Sequence, residues 1–152
     1  MPKSKILILD SIRSLQNVGA MFRNADGADF EKLYMCGFTP FPPRNDISKT
    51  ALWAEKTIEW EYIKNIETLL VQLKDEGYII HAVELSDISK DYKHFQNSQD
   101  EKIALILWNE VDGISESTLS LCDHIVSIPM LWDKESLNVT VAAGIVMYSF
   151  VT

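Results

Sequence analysis

The chain alternates short, wholly apolar runs with segments of helical spacing. Lys5–Leu9 (KILIL) and Lys32–Cys36 (KLYMC) read as strands, the second closed by Gly37. Residues 18–26 read as a helix between them, with Asn17 as its N-cap, where a side-chain oxygen can accept from an unpaired first-turn amide. Thr39–Asp46 (TPFPPRND) carries three prolines and reads as a loop. A strand is expected near Thr57–Tyr62. Ile66, Leu69, Leu70 and Leu73 then fall at i, i+3, i+4 and i+7, a single apolar stripe that predicts a helix. Gly77 follows where a helix C-terminal glycine belongs. Tyr78–Leu85 reads as a strand and Asp87–Glu101 as a polar surface helix or loop. Ile103–Trp108 (IALILW) is continuously apolar, as a strand covered on both faces must be. Asn109–Gly113 reads as an acidic turn, Ser115–Leu121 as a short helix and His124–Ile128 as the last strand. Ser136–Val151 closes the chain as a helix that is apolar nearly all round, with Ser136 a good cap. Such a helix must be buried on most sides, which in a small domain calls for a neighbour such as a second subunit.

Strands alternating with helices predict an α/β fold, a mostly parallel sheet with helices on both faces. No linker or composition break divides residues 1–152, so one domain is expected. In open parallel sheets ligands bind beyond the carboxyl ends of the strands. That directs attention to the residues following Leu9, Trp108 and Ile128.

Composition narrows the function classes. Hydrophobic residues make up 47% and charged residues 24%, which suits a globular chain and excludes a disordered or fibrous one. No apolar run approaches the roughly 20 residues of a membrane span. The basic start, Met1–Lys5, leads only into the brief run Ile6–Leu9, too short for a signal peptide, so a cytoplasmic protein is expected. Lys and Arg number 14 against 22 Asp and Glu, a net charge of −8. Bulk electrostatics therefore oppose a polyanion, and a nucleic acid would have to be held by a local basic patch or specific contacts. Cys36, Cys122, His81, His94 and His124 have no ligand spacing, so no metal site is expected. Nothing reads as a glycine-rich nucleotide fingerprint, a P-loop or a catalytic triad.

Three segments lie just past predicted strands. The first runs Asn17-Val-Gly19-Ala-Met-Phe-Arg23-Asn-Ala25. The second is Asn109-Glu110-Val-Asp112-Gly113-Ile-Ser115. The third is Ile128-Pro129-Met130 followed by Ser136-Leu137-Asn138-Val139-Thr140-Val-Ala142. In this order and spacing they resemble the motifs of the SpoU (TrmH-like) family of RNA ribose methyltransferases, within the SPOUT superfamily: N-x-G-x-x-x-R-x-A, G-N-E-x-x-G-[LI]-S, and I-P-M with S-L-N-V-[ST]-V-A. The resemblance runs from about Ile6 to Val151.

The resemblance implies an α/β fold whose C-terminal part is tied in a deep trefoil knot, a homodimer, and S-adenosylmethionine as the methyl donor. The implied reaction is methyl transfer to a ribose 2′-hydroxyl of tRNA or rRNA. Arg23 would activate the hydroxyl or, because a guanidinium has a pKa above about 12, orient the ribose and its phosphate through a planar fork. Asn17, Glu110, Ser136 and Asn138 match the family's other catalytic positions, with Glu110 a candidate to hold Arg23 across the dimer interface. Leu107, Trp108, Asn109, Gly113, Ile128, Met130 and Leu137 would line the donor site, largely through backbone groups. Arg13 and Arg44, with Arg23, are candidate RNA contacts. Outside the motif context Arg23 reads as a solvated helix residue, Asn17 and Ser136 as helix caps, and Arg13 and Arg44 as scattered surface charge.

This chain departs from the family pattern in one respect. Trp53, Trp108 and Trp132 stand where the pattern has glycine, and they are three of only four tryptophans. If the indoles are real, the donor pocket is reshaped or closed, and the chain reads instead as a catalytically silent RNA-binding dimer. The competing explanation is one codon: UGA, one base from a glycine codon, is read as glycine in some bacterial lineages, and a common origin for all three favours it.

Overall fold

The computed structural model describes residues 4–84, 90–95, 102–108, 113–128 and 138–150. Seven strands form one sheet: β1 (Ser4–Asp10), β2 (Lys32–Cys36), β3 (Glu59–Tyr62), β4 (Tyr78–Val83), β5 (Lys90–Asp91), β6 (Lys102–Trp108) and β7 (His124–Ser127). Their order is β3-β2-β1-β6-β4-β7-β5, and every paired neighbour is parallel. The first three strands step outward to one edge. The chain then returns, and β6 inserts between β1 and β4, so the direction of winding reverses at the β1/β6 pair. Asp10 stands beside Cys36 on one side and Trp108 on the other at that carboxyl end.

Side-chain alternation divides the core into two layers, as the period of 2 along a strand requires. Leu7, Leu9, Leu33, Met35, Leu105 and Leu107 face one side. There they meet α1 (Leu15–Gly27), α2 (Asn45–Ala51), α3 (Ala54–Thr57) and α6 (Val139–Ser149). Ile6, Ile8, Tyr34, Cys36, Ile80, Ala104 and Ile106 face the other side, covered by α4 (Ile66–Asp75) and α5 (Glu116–Leu119). The expected helices on both faces follow from this. The stripe predicted on α4 is the buried one: Leu69, Leu70 and Leu73 point into the core. Asn65 caps α4 by accepting from the Thr68 amide at 3.1 Å, and Gly77 leaves it at φ +92°. Among the described residues, no helix is long and apolar enough to cross a membrane.

Three local expectations are corrected. The N-cap of α1 is Ser14, whose hydroxyl accepts from the Asn17 amide at 3.2 Å, so Asn17 lies inside the first turn. The apolar pattern misled because Leu15 is only half-buried and the first wholly buried residue is Val18. The proline-rich loop ends at Arg44, where α2 begins, and α3 follows; neither helix was expected. Pro43 is the last residue that bars helix, and α2 buries only Ile47 and Ala51, a single i, i+4 pair that gives no readable period. The last helix starts at Val139 under the cap of Asn138, later than the expected Ser136, which lies outside the described residues. Within this chain α6 buries Ala143, Val146 and Met147 but leaves Val141 50% and Tyr148 52% exposed. Its apolar character exceeds what the described residues of this chain cover.

Candidate active site

The site grows from the packing of α2 on α1. A Cβ built on Gly19 would sit 2.0 Å from Thr50 Oγ1 and 2.3 Å from the Ile47 carbonyl oxygen, so only glycine lets the two helices approach this closely. Thr50 then donates from its hydroxyl to the Gln16 carbonyl at 2.8 Å, fastening α2 in place. The glycine of the first motif is thus a packing requirement, and it delivers Lys49 and Leu52 to the face of α1 that carries Arg23.

The first turn of α6 closes the other wall. Asn138 caps that helix, its side-chain oxygen accepting from the Thr140 amide at 2.8 Å. The Asn24 amide donates to the Thr140 carbonyl at 3.2 Å and ties the two helices together. Between α1, α2 and α6 lies a groove of about 730 Å³. Among the described residues Arg23 and Lys49 are the cations lining it, and Lys49 is paired with Asp46 at 3.6 Å. Ala20, Leu52, Val141 and Ile145 give it an apolar floor, and Thr140 a polar edge. In a chain with a net charge of −8, the Arg23 guanidinium gives this groove a cation suited to a sugar–phosphate.

The structure brings together Arg23 from the first motif and the Asn138–Thr140 turn from the third. Asn17 is half-buried on α1, six residues before Arg23. Arg13 is exposed, with its guanidinium 5.1 Å over the Phe38 ring. Arg44 is exposed and extended at the start of α2. Leu107 and Trp108 end β6 with their side chains buried in opposite core layers, which leaves backbone at that strand end. The Trp108 indole, 8% exposed, belongs to the layer under α4 and α5. Gly113 takes φ +66°, with open space where a side chain would stand, and Ile128 is buried directly after β7. Asn109, Glu110, Met130, Trp132, Ser136 and Leu137 lie outside the described residues.

Asn24, Lys49 and Thr140 are groove residues that the sequence reading passed over. Asn24 sits at an unrestricted position of the first motif, and Thr140 at the Ser/Thr position of the third. Lys49 had no signal, because its place on the groove depends on α2, which periodicity did not reveal.

The two thiols can be set aside as nucleophiles. Burial, reinforced by Asp10, pushes Cys36 up to about 12, and burial with Asp123 does the same to Cys122. A thiol so raised stays protonated at neutral pH. Asp10 itself, at the end of β1, is raised by burial against a hydrogen bond with Ser11 that lowers it.

The fold is thus a parallel α/β sheet with a groove on one face that joins the Asn17–Ala25 segment to the turn at Asn138–Ala142. The model of the SpoU rRNA Methylase family matches residues 4–148, and the chain belongs to that family. It is 32% identical over 142 residues to the 23S rRNA (guanosine-2′-O-)-methyltransferase RlmB of Neisseria meningitidis, covering 93% of this chain and 56% of that protein. It is 30% identical over 146 residues to RlmB of Vibrio vulnificus, covering 96% and 58%. The chain thus spans a little over half the length of these curated relatives. Among solved structures it resembles the TrmH/SpoU tRNA modifying enzyme of A. aeolicus, with a TM-score of 0.84 and 25% identity over 97% of this chain and 74% of that one. It also shares its fold with the SpoU methyltransferase AviRb of Streptomyces viridochromogenes, solved in complex with AdoMet. There the TM-score is 0.86 and the identity 20%, over 95% of this chain and 58% of that one.

Proposed function

We propose that this chain is an S-adenosylmethionine-dependent RNA methyltransferase that methylates a ribose 2′-hydroxyl of tRNA or rRNA. One observation carries the reading: Arg23 lines a groove whose other wall is the first turn of α6, the segment carrying Asn138. Family membership supports it, as do the relatives named as ribose methyltransferases and the AdoMet bound to the AviRb structure.

Arg23 binds and orients. A guanidinium stays charged and offers donors in a planar fork, which suits a phosphate and the adjoining ribose better than proton abstraction does. Lys49 adds a second positive charge to the same groove. S-adenosylmethionine, when bound, supplies an electrophilic methyl on its sulfonium sulfur. The described part of the expected donor site fits such a group: Leu107 and Trp108 turn their side chains into the core, so backbone faces the strand end, and Gly113 leaves open space beside it. Glu110, Ser136, Leu137 and Met130 complete the site in this reading, with Glu110 holding the guanidinium.

The reading extends to architecture. The C-terminal part of the chain is tied in a trefoil knot, residues 1–152 act as one catalytic domain, and the protein works as a cytoplasmic homodimer. Val141 and Tyr148, exposed on a helix otherwise apolar, support the dimer, because a second subunit would cover them.

The test is methyl transfer from labelled S-adenosylmethionine to bulk RNA from cells lacking the protein, followed by mapping of ribose methylation. Arg23→Ala should cut turnover by about a hundredfold or more with the melting temperature unchanged, since misplacement of a reacting group alone can cost that much. Turnover equal to the unsubstituted protein would remove Arg23 from the reaction.

A further inference from the structure

We propose that Asn24 is a positioning residue, coupling the helix that carries Arg23 to the turn that carries Asn138. The inference rests on the methyltransferase reading and adds to it a residue that acts through Arg23.

Arg23 is exposed on α1, and the packing beneath it is apolar. Apolar contacts between helices fix distance well but register poorly, because they have no direction. One directional bond fixes the register here: the half-buried Asn24 amide to the Thr140 carbonyl, 3.2 Å, between residues 116 apart in sequence. Only the amide nitrogen of Asn24 can serve, since a carbonyl oxygen accepts and never donates. A helical carbonyl has a second lone pair free for such a bond.

Gly144, one turn further along α6, lies beside the bond; a Cβ there would come to 3.8 Å from the Asn24 nitrogen, an ordinary contact. On the far side of Thr140, Asn138 accepts from the Thr140 amide at 2.8 Å. Thr140 is thus held at its amide by the third motif and at its carbonyl by the first. Asn24 lines the same groove as Arg23, so any shift at this joint moves one wall against the other at the point where the sugar is presented.

The experiment is a double-substitution cycle on the full chain, read in the RNA methylation assay at saturating donor and RNA. Asn24→Asp keeps the shape and removes the donor; Asn24→Ala removes the bond without adding charge. Both should lower turnover 10- to 100-fold while the RNA KM, donor affinity by calorimetry and melting temperature stay within twofold or a few degrees. On an Arg23→Ala background, neither should cost anything further, because the residue acts through Arg23. Unchanged turnover in both single variants, or a loss that multiplies fully with that of Arg23→Ala, overturns the proposal and leaves the methyltransferase reading standing. Unchanged turnover in Arg23→Ala alone overturns both.

Discussion

The two faces of the sheet are built by different rules. Under α4 the packing is periodic: Leu69, Leu70 and Leu73 cover the sheet from one helix, capped by Asn65 and ended at Gly77. On the opposite face α1 carries a stripe of the same spacing, Val18, Met21, Phe22 and Ala25, but three helices must share the surface. There α1, α2 and α6 are fitted together by a close approach at Gly19, a hydroxyl clasp from Thr50 and an amide bond from Asn24. The α4 face carries stability and no groove chemistry. The fitted face keeps its apolar stripe on α1, adds polar clasps between helices, and gains a groove lined by Arg23 and Lys49.

That contrast can be broken from either side. Leu70→Ala, at a fully buried position under α4, should destabilise the fold by about 2–5 kcal/mol, measured by urea unfolding, while turnover per folded molecule is unchanged. A parallel loss of turnover would mean the faces are not separable. Gly19→Ala should cost about 1–3 kcal/mol by overpacking, and it should also lower turnover, because displacing α2 moves Lys49. Loss of stability without loss of turnover would deny α2 its part in the site.

Acid should weaken the fitted face first. His81 is buried against the rings of His124 and Phe150, at centroid distances of 5.1 and 5.4 Å. Burial, then the charge of His124, lowers it from 6.5 to about 4, with Asp123 opposing. The unfolded chain therefore takes up the proton first as pH falls. Stability should be unaffected by this group above about pH 6.5 and should fall by up to about 1.4 kcal/mol per unit between there and about pH 4. Unfolding of a His81→Leu variant across that range should show a flatter profile; an identical profile would assign the acid sensitivity elsewhere.

The smallest expected effect concerns Trp53. It sits in the left-handed region at φ +78°, directly after Leu52 at φ +49°, and is 71% exposed. A bulky residue is strained there and glycine is not. Trp53→Gly should raise stability by about 1 kcal/mol, on the scale of the left-handed penalty. Trp108 differs, since its indole is buried in strand backbone with no such demand. Peptide mass spectrometry of the natively expressed protein distinguishes the explanations at all three positions: glycine masses at 53, 108 and 132 establish the codon reading, and tryptophan masses exclude it.

Much of the fold was legible because strands buried on both faces must be apolar throughout, and KILIL, KLYMC and IALILW say so directly. The α4 stripe was equally direct. The helix α2 was illegible because its burial rests on Ile47 and Ala51 alone, behind a run of prolines that argues for loop. For the site, the motif around Arg23 marked the right helix, yet it misplaced the cap by three residues and could not reach Asn24 or Lys49.

Composition and periodicity by themselves determined the class of fold, the α4 face and the residues worth testing, because burial imprints itself on residue type along the chain. Tertiary structure alone decided that Gly19 is there for Thr50, that Asn24 meets Thr140, and that Lys49 joins Arg23 across a groove. Those contacts join residues far apart in sequence, and a polar side chain reads the same whether it faces water or one particular partner.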